Sequence, residues 1–313
     1  MPEEGLEEII DEIDRRRAAG IADLAVELRR RVDELGDRPL NTRPLQDTML
    51  EVFEAFTPAG FALYPIPDDC RVLITGGRQI IVAGTVVDAT LRQTVGTMAR
   101  HLDLDAGSVD HQFLRVQKPY RGGGLALLLL DRSFRFYERV GLQRVTVHAA
   151  LETGRWYWAR LGFEFERPLE RLLIASWGVT CLRALGEPLI APDAPARRWA
   201  QLGSGDPPRE VTLKQLRDAV STFVAHVADP AHQTYKQLGT ALSARLGADW
   251  LDMARFELLA AANEIEIDEP IALGRAIMLT GVDWHGVFDL THTPAREAFN
   301  EELQSRLRKL AGR

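Results

Sequence analysis

Arg121-Gly122-Gly123-Gly124-Leu125-Ala126 is the segment of this chain with the clearest capacity for chemistry. Consecutive glycines between a strand and a helix let the backbone turn tightly and offer its N–H groups to an anion with no Cβ in the way. The helix that follows directs the positive end of its dipole to the same place, an arrangement suited to a pyrophosphate. The loop has neither the Gly-x-x-x-x-Gly-Lys-Ser/Thr spacing of a P-loop nor the Gly-x-Gly-x-x-Gly spacing of a dinucleotide fingerprint. A second cluster, Asp283, His285, Asp289 and His292, holds donor types that suit zinc or iron. Its spacing matches no metal motif, a capped turn accounts for it equally well, and no metal is expected. A third, Trp156-Tyr157-Trp158 with Phe163 and Phe165, reads as core packing or, in part, as the lining of an acyl or substrate pocket.

The elements around the loop follow from periodicity. Short runs rich in β-branched or aromatic residues at Phe61–Tyr64, Arg71–Thr75 and Gln79–Val87 read as strands, as do Thr94–Leu104 and Val109–Gln117, the last leading into the loop. A Leu-rich helix is predicted from Gly124 to Val140, stopped by Gly141. A strand at Arg144–Ala149, a short helix at Thr153–Leu161 and a strand at Phe163–Glu166 follow. The fold class is mixed α/β. Ahead of this region, apolar residues recur at helical spacing over 6–35 and again from Pro44 to Phe56, which predicts a helical extension over 1–58. A core domain is expected over 59–186. Residues 187–209 hold five of the 16 prolines and read as a linker. Beyond it, 210–313 reads as a mainly helical accessory domain, with helices at 213–227, 235–246, 248–262 and 294–310 and a strand-like stretch at Ala276–Leu279.

Val109 to Glu166 resembles the GCN5-related N-acetyltransferase (GNAT) superfamily. The pyrophosphate loop of that family has the pattern Arg/Gln-x-x-Gly-x-Gly/Ala, and Arg121-x-x-Gly124-x-Ala126 fits it, with Pro119-Tyr120 a frequent approach. The Leu-rich helix, the strand Val145-Thr-Val-His-Ala149 and the terminal Gly162-Phe163 follow in the family's order. The resemblance implies a sheet with two splayed central strands, Val109–Gln117 and Arg144–Ala149, and an acyl-CoA in the slot between them. The pantetheine arm would pair with the backbone near Leu114 and Val116. The pyrophosphate would sit on the loop from Arg121 and Gly122 through Gly123, Gly124 and Leu125 to Ala126. The family's last strand has no evident counterpart after Glu166.

The same resemblance implies transfer of an acetyl or longer acyl group from acetyl-CoA or another acyl-CoA to a primary amine of a small molecule, peptide or protein. Asp110 stands where several members carry a basic carboxylate. Strand alternation puts Asp110, Gln112, Leu114 and Val116 on one face and His111 on the other, and a bulge would exchange the two candidates. Many members have a proton-donating Tyr where Trp158 stands here, so either Tyr157 or Tyr137 stands in, or water protonates the thiolate, or catalysis is lost. Glu152 occupies a place where Asn is common. Two other functions stay open: a noncatalytic CoA- or protein-binding module, and an acyltransferase served by an acyl carrier protein.

Composition narrows the class. The 313 residues are 46% hydrophobic and 27% charged, which excludes a mostly disordered chain. The longest apolar run, Leu125–Leu130, meets Asp131 and Arg132 well short of the about 18–20 residues a membrane span needs. A net charge of −7 and the lack of a basic-aromatic pattern argue against nucleic acid. Two cysteines make no disulfide framework, and the acidic Met-Pro-Glu-Glu-Gly start is unlike a secretion signal, so a cytoplasmic location is expected.

Overall fold

A computed structural model of the chain describes residues 26, 30, 32, 33, 57, 58, 60–66, 71–73, 77–150, 154–228 and 269–311. Residues 26, 30, 32 and 33 are helical. The rest of the helical extension expected over 1–58 lies almost wholly outside the described residues, as do the helices expected at 235–246 and 248–262. In chain order the strands are β1 (Phe61–Pro65), β2 (Arg71–Leu73), β3 (Gln79–Asp88), β4 (Gln93–Asp103), β5 (Ser108–Val116), β6 (Arg144–Ala149), β7 (Glu164–Phe165), β8 (Glu210–Val211), β9 (Ile271–Ala272) and β10 (Trp284–Asp289). The helices are α1 (Leu125–Val140), α2 (Gly154–Arg160), α3 (Pro168–Ala184), α4 (Ala196–Ala200), α5 (Leu213–Ala228), α6 (Leu273–Thr280) and α7 (Thr293–Ala311). The fold is mixed α/β, as the sequence predicts.

The chain forms two compact units, Met1–Val147 with Asp289–Arg313, and His148–Phe288. In the first, β1 and β2 both pair antiparallel with β3, β3 with β4 and β4 with β5, while β6 adds parallel to β5. Alternating apolar residues drive this: Ile80, Val82 and Val86 of β3 and Met98 and Leu102 of β4 are all buried. Helix α1 lays Leu127, Leu130, Phe134 and Tyr137 into the core. It ends in a Schellman turn, where Gly141 at φ 81° and Leu142 both donate to the Tyr137 carbonyl. Helix α7 belongs to this unit. Its Phe299 ring lies 4.9 Å from Phe134, and Arg296 pairs with Glu138 at 2.9 Å.

The second unit begins with α2, which Gly162 closes at φ 98°. Trp158, Phe163 and Phe288 stack into a buried cluster with centroid separations of 5.0 and 5.2 Å. β10 pairs antiparallel with β7, so the strand missing after Glu166 is supplied from beyond a long insertion. That insertion starts with α3, a helix absent from the sequence reading because apolar residues surround it almost evenly. The stretch expected as a linker contains α4, whose Trp199 is fully buried against Gly178 of α3. A Cβ at Gly178 would come within 2.2 Å of that indole, so only glycine admits the contact. Ala276–Leu279 is helical rather than extended. A short apolar run buried on all sides has no period that distinguishes the two.

Candidate active site

The loop forms as its glycines require. A 3-10 turn over Lys118–Tyr120 delivers the chain to Arg121, and Gly122 and Gly124 then adopt φ of 83° and 77°. Gly124 is the N-cap of α1 and has no side chain with which to cap the helix. The first amides of α1 have no intrahelical acceptor by construction, so they point out of the helix end as donors. From Gln117 to Leu130 the chain carries Lys118 and Arg121 but no Asp or Glu. Arg121 Nε donates to the Val116 carbonyl at 2.9 Å, tying the loop to the end of β5. This donor set fits a pyrophosphate.

β5 and β6 run side by side only as far as His111 and Val147. Among the described residues, β5 pairs from Gln112 onward with β4 and no longer with β6, which is the splay that the resemblance implies. β5 also carries a bulge: Ala99 faces Phe113 while His101 faces Asp110. The extra residue reverses the alternation. Directly paired residues share a face, so Asp110 lies on the face of Phe113 and Arg115. His111 lies with Leu114 and Val116. The single face expected for Asp110, Gln112, Leu114 and Val116 is thereby corrected, because an unbroken period of two does not survive the bulge.

The two candidate bases have different surroundings. Asp110 is half-buried and accepts a hydrogen bond from Thr146 Oγ1 at 3.2 Å across the β5–β6 register. His111 is buried under α1, with Nε2 at 2.9 Å from the Tyr137 hydroxyl. Burial, and secondarily the charge of Arg100, hold the His111 imidazolium pKa well below the ordinary value. Burial likewise pushes the Tyr137 phenol up to about 12. The sequence singled out neither Arg100 nor its role. This fully buried guanidinium donates through Nη1 to the carbonyls of Ala99 and Phe113, bracing β4 and β5 at the bulge. Its own pKa is lowered by burial.

No protein-family model matches the sequence, and no curated protein matches it either. Solved structures do. Three of them are acetyltransferases, one described as of the GNAT family. A GNAT-family acetyltransferase from Staphylococcus aureus is 15% identical, over 29% of this chain and 57% of its own, with a TM-score of 0.26. Spermidine N-acetyltransferase from Vibrio cholerae is 19% identical, over 28% and 52%, with a TM-score of 0.24. Nourseothricin acetyltransferase is 14% identical, over 36% and 78%, with a TM-score of 0.25. The chain thus spans little more than half of the first two. Superpositions of this extent leave the activity to be judged from the chain's own loop and strands.

Tyr157, the candidate GNAT proton donor, belongs to the second unit. It is half-buried on α2, its ring 5.6 Å from that of Trp158. Trp158 is buried against Phe163, while Trp156 donates to the Ala200 carbonyl at 3.1 Å beneath the guanidinium groups of Arg160 and Arg275. Glu152 lies outside the described residues. The would-be metal donors are dispersed among other partners. Asp283 pairs with Arg155 at 3.4 Å, and Asp289 accepts from the Thr291 amide and hydroxyl. His285 meets Glu170 at 2.8 Å and stacks on His148. Among the described residues, no group of three or more His, Cys, Asp or Glu side chains could hold a metal ion. No helix among them is long and apolar enough to cross a membrane.

Proposed function

We propose that this chain is an N-acyltransferase that moves an acetyl or longer acyl group from a CoA-type thioester to a primary amine of a small molecule, peptide or protein. The observation that carries the reading is the uncapped, carboxylate-free start of α1 at the end of a strand that has parted from its parallel neighbour. In this reading the amides of Gly122 to Ala126 hold the pyrophosphate, with Arg121 beside them. The free edge of β5 near Leu114 and Val116 takes the pantetheine arm as an added strand. The Val116 carbonyl is already engaged by Arg121, which leaves Leu114 as the stronger partner.

Acyl transfer needs a neutral amine, a stabilised oxyanion and a proton for the departing thiolate. Asp110 takes the ammonium proton, directly or through water, and is favoured over His111, which is buried under α1. The amine nitrogen then bonds to the thioester carbon as the C–S bond breaks. The departing thiolate takes its proton from water, and the nitrogen releases its second proton to solvent as the amide forms. The location proposed is cytoplasmic.

One substitution tests the loop cleanly. Gly123 lacks a positive φ, and a Cβ there would meet only the Tyr120 carbonyl at 3.6 Å. Gly123→Asp therefore adds a carboxylate beside the bound pyrophosphate with little backbone strain. Titration calorimetry should show acetyl-CoA binding to the native protein and none to Gly123→Asp. Equal binding by the two would sink the assignment. Trp158 supports a second reading, a noncatalytic CoA-binding module, since a buried indole fills the usual Tyr position. Thiol release from acetyl-CoA over a panel of polyamines, aminoglycosides and lysine peptides separates the two.

A further inference from the structure

Helix α7 reaches the loop with a charge that local sequence does not reveal. Arg306 Nη2 donates to the Gly122 carbonyl at 2.6 Å, from 184 positions further along the chain. The helix is held in that place by Phe299 against Phe134 and by Arg296 against Glu138. One N–H of the guanidinium is used on the carbonyl, and its other donors remain for an anion at the same loop. Arg306 adds a cation to a segment, 117–130, that itself carries Lys118 and Arg121 and no carboxylate, in a chain whose net charge is −7.

Resting on the acyltransferase reading, we propose that Arg306 binds the pyrophosphate of the donor, and that the C-terminal helix thereby makes the enzyme selective for a free nucleotide thioester over a carrier-bound one. The chemistry distinguishes these donors. CoA places two adjacent phosphates at this point, whereas a carrier protein presents its pantetheine arm through a single phosphodiester. The Gly122 contact sets Arg306 beside the loop, where a second phosphate would be met by a fixed guanidinium and a bidentate pair can form.

The test is titration calorimetry of the full chain with CoA, 3′-dephospho-CoA and 4′-phosphopantetheine, for the native protein, Arg306→Gln and Arg306→Lys. Dephospho-CoA keeps the pyrophosphate and phosphopantetheine does not. Expected is a loss of about tenfold or more for CoA and dephospho-CoA alike in Arg306→Gln, with phosphopantetheine unaffected. Arg306→Lys keeps the charge without the fork, so it should lie between the two and also serves if the Gln variant does not fold. A loss confined to CoA would move the contact to the 3′-phosphate and overturn the assignment. Unchanged affinity for CoA in both variants overturns it while leaving the acyltransferase reading intact. No CoA binding by the native protein overturns both.

Discussion

Asp110 and His111 are neighbours in sequence with opposite environments, and the bulge in β5 is the reason. Asp110→Asn removes the proposed base and keeps the shape, so kcat should fall by about 10²–10⁴ with little change in acyl-CoA affinity. An unaltered kcat would eliminate Asp110 as the base. His111 affects stability instead. Its pKa is depressed by burial in the folded state, so the unfolded chain binds the proton first as pH falls. The stabilising contribution of the neutral ring is complete above the unfolded value of about 6.5 and declines below it, by at most about 1.4 kcal/mol per pH unit for one proton. Urea midpoints measured from pH 7.5 to 5 should therefore fall in the native protein and more shallowly in His111→Asn. A parallel decline in both would assign the effect to other groups.

Elements bring these residues into place through a few backbone features. Gly124 must combine a left-handed conformation with the N-cap of α1, whereas Gly123 is free of that demand. Gly124→Ala should cost about 1 kcal/mol or more and Gly123→Ala close to nothing in urea denaturation. Equal costs would show that the turn relaxes. The loop, α1 and its Gly141 stop were legible because glycine and leucine placement is local information. The bulge was legible only as an option, since its position depends on how Arg100 braces the carbonyls of Ala99 and Phe113. Helix α3 was not legible, because a helix with apolar residues on most sides carries no amphipathic signature.

At the scale of the molecule, the chain leaves its first unit after β6 and returns to it with α7. Phe299 is the anchor of that return and is fully buried. Phe299→Ala should destabilise the first unit by about 3–5 kcal/mol, seen as a lower urea midpoint. It should also weaken CoA binding, because Arg306 loses its seat at Gly122. A variant destabilised as stated but binding CoA normally would separate α7 from the donor site. The segment 187–209 teaches the same lesson at a different place. Its prolines read as a linker, yet Trp199 within it is buried against Gly178, a contact that composition does not encode.

By itself the sequence determined the mixed α/β class, the strands from 61 to 116 and the helix that the Gly-rich loop opens. These depend on residue type and short-range period, which the chain carries locally. Tertiary structure decided which face of β5 presents Asp110, where β5 parts from β6, which late strand pairs with β7 and which helix brings Arg306 to Gly122. Each of these depends on contacts between residues far apart in the chain. Such partners are chosen by packing and backbone hydrogen bonding across the whole fold, and no local pattern records them.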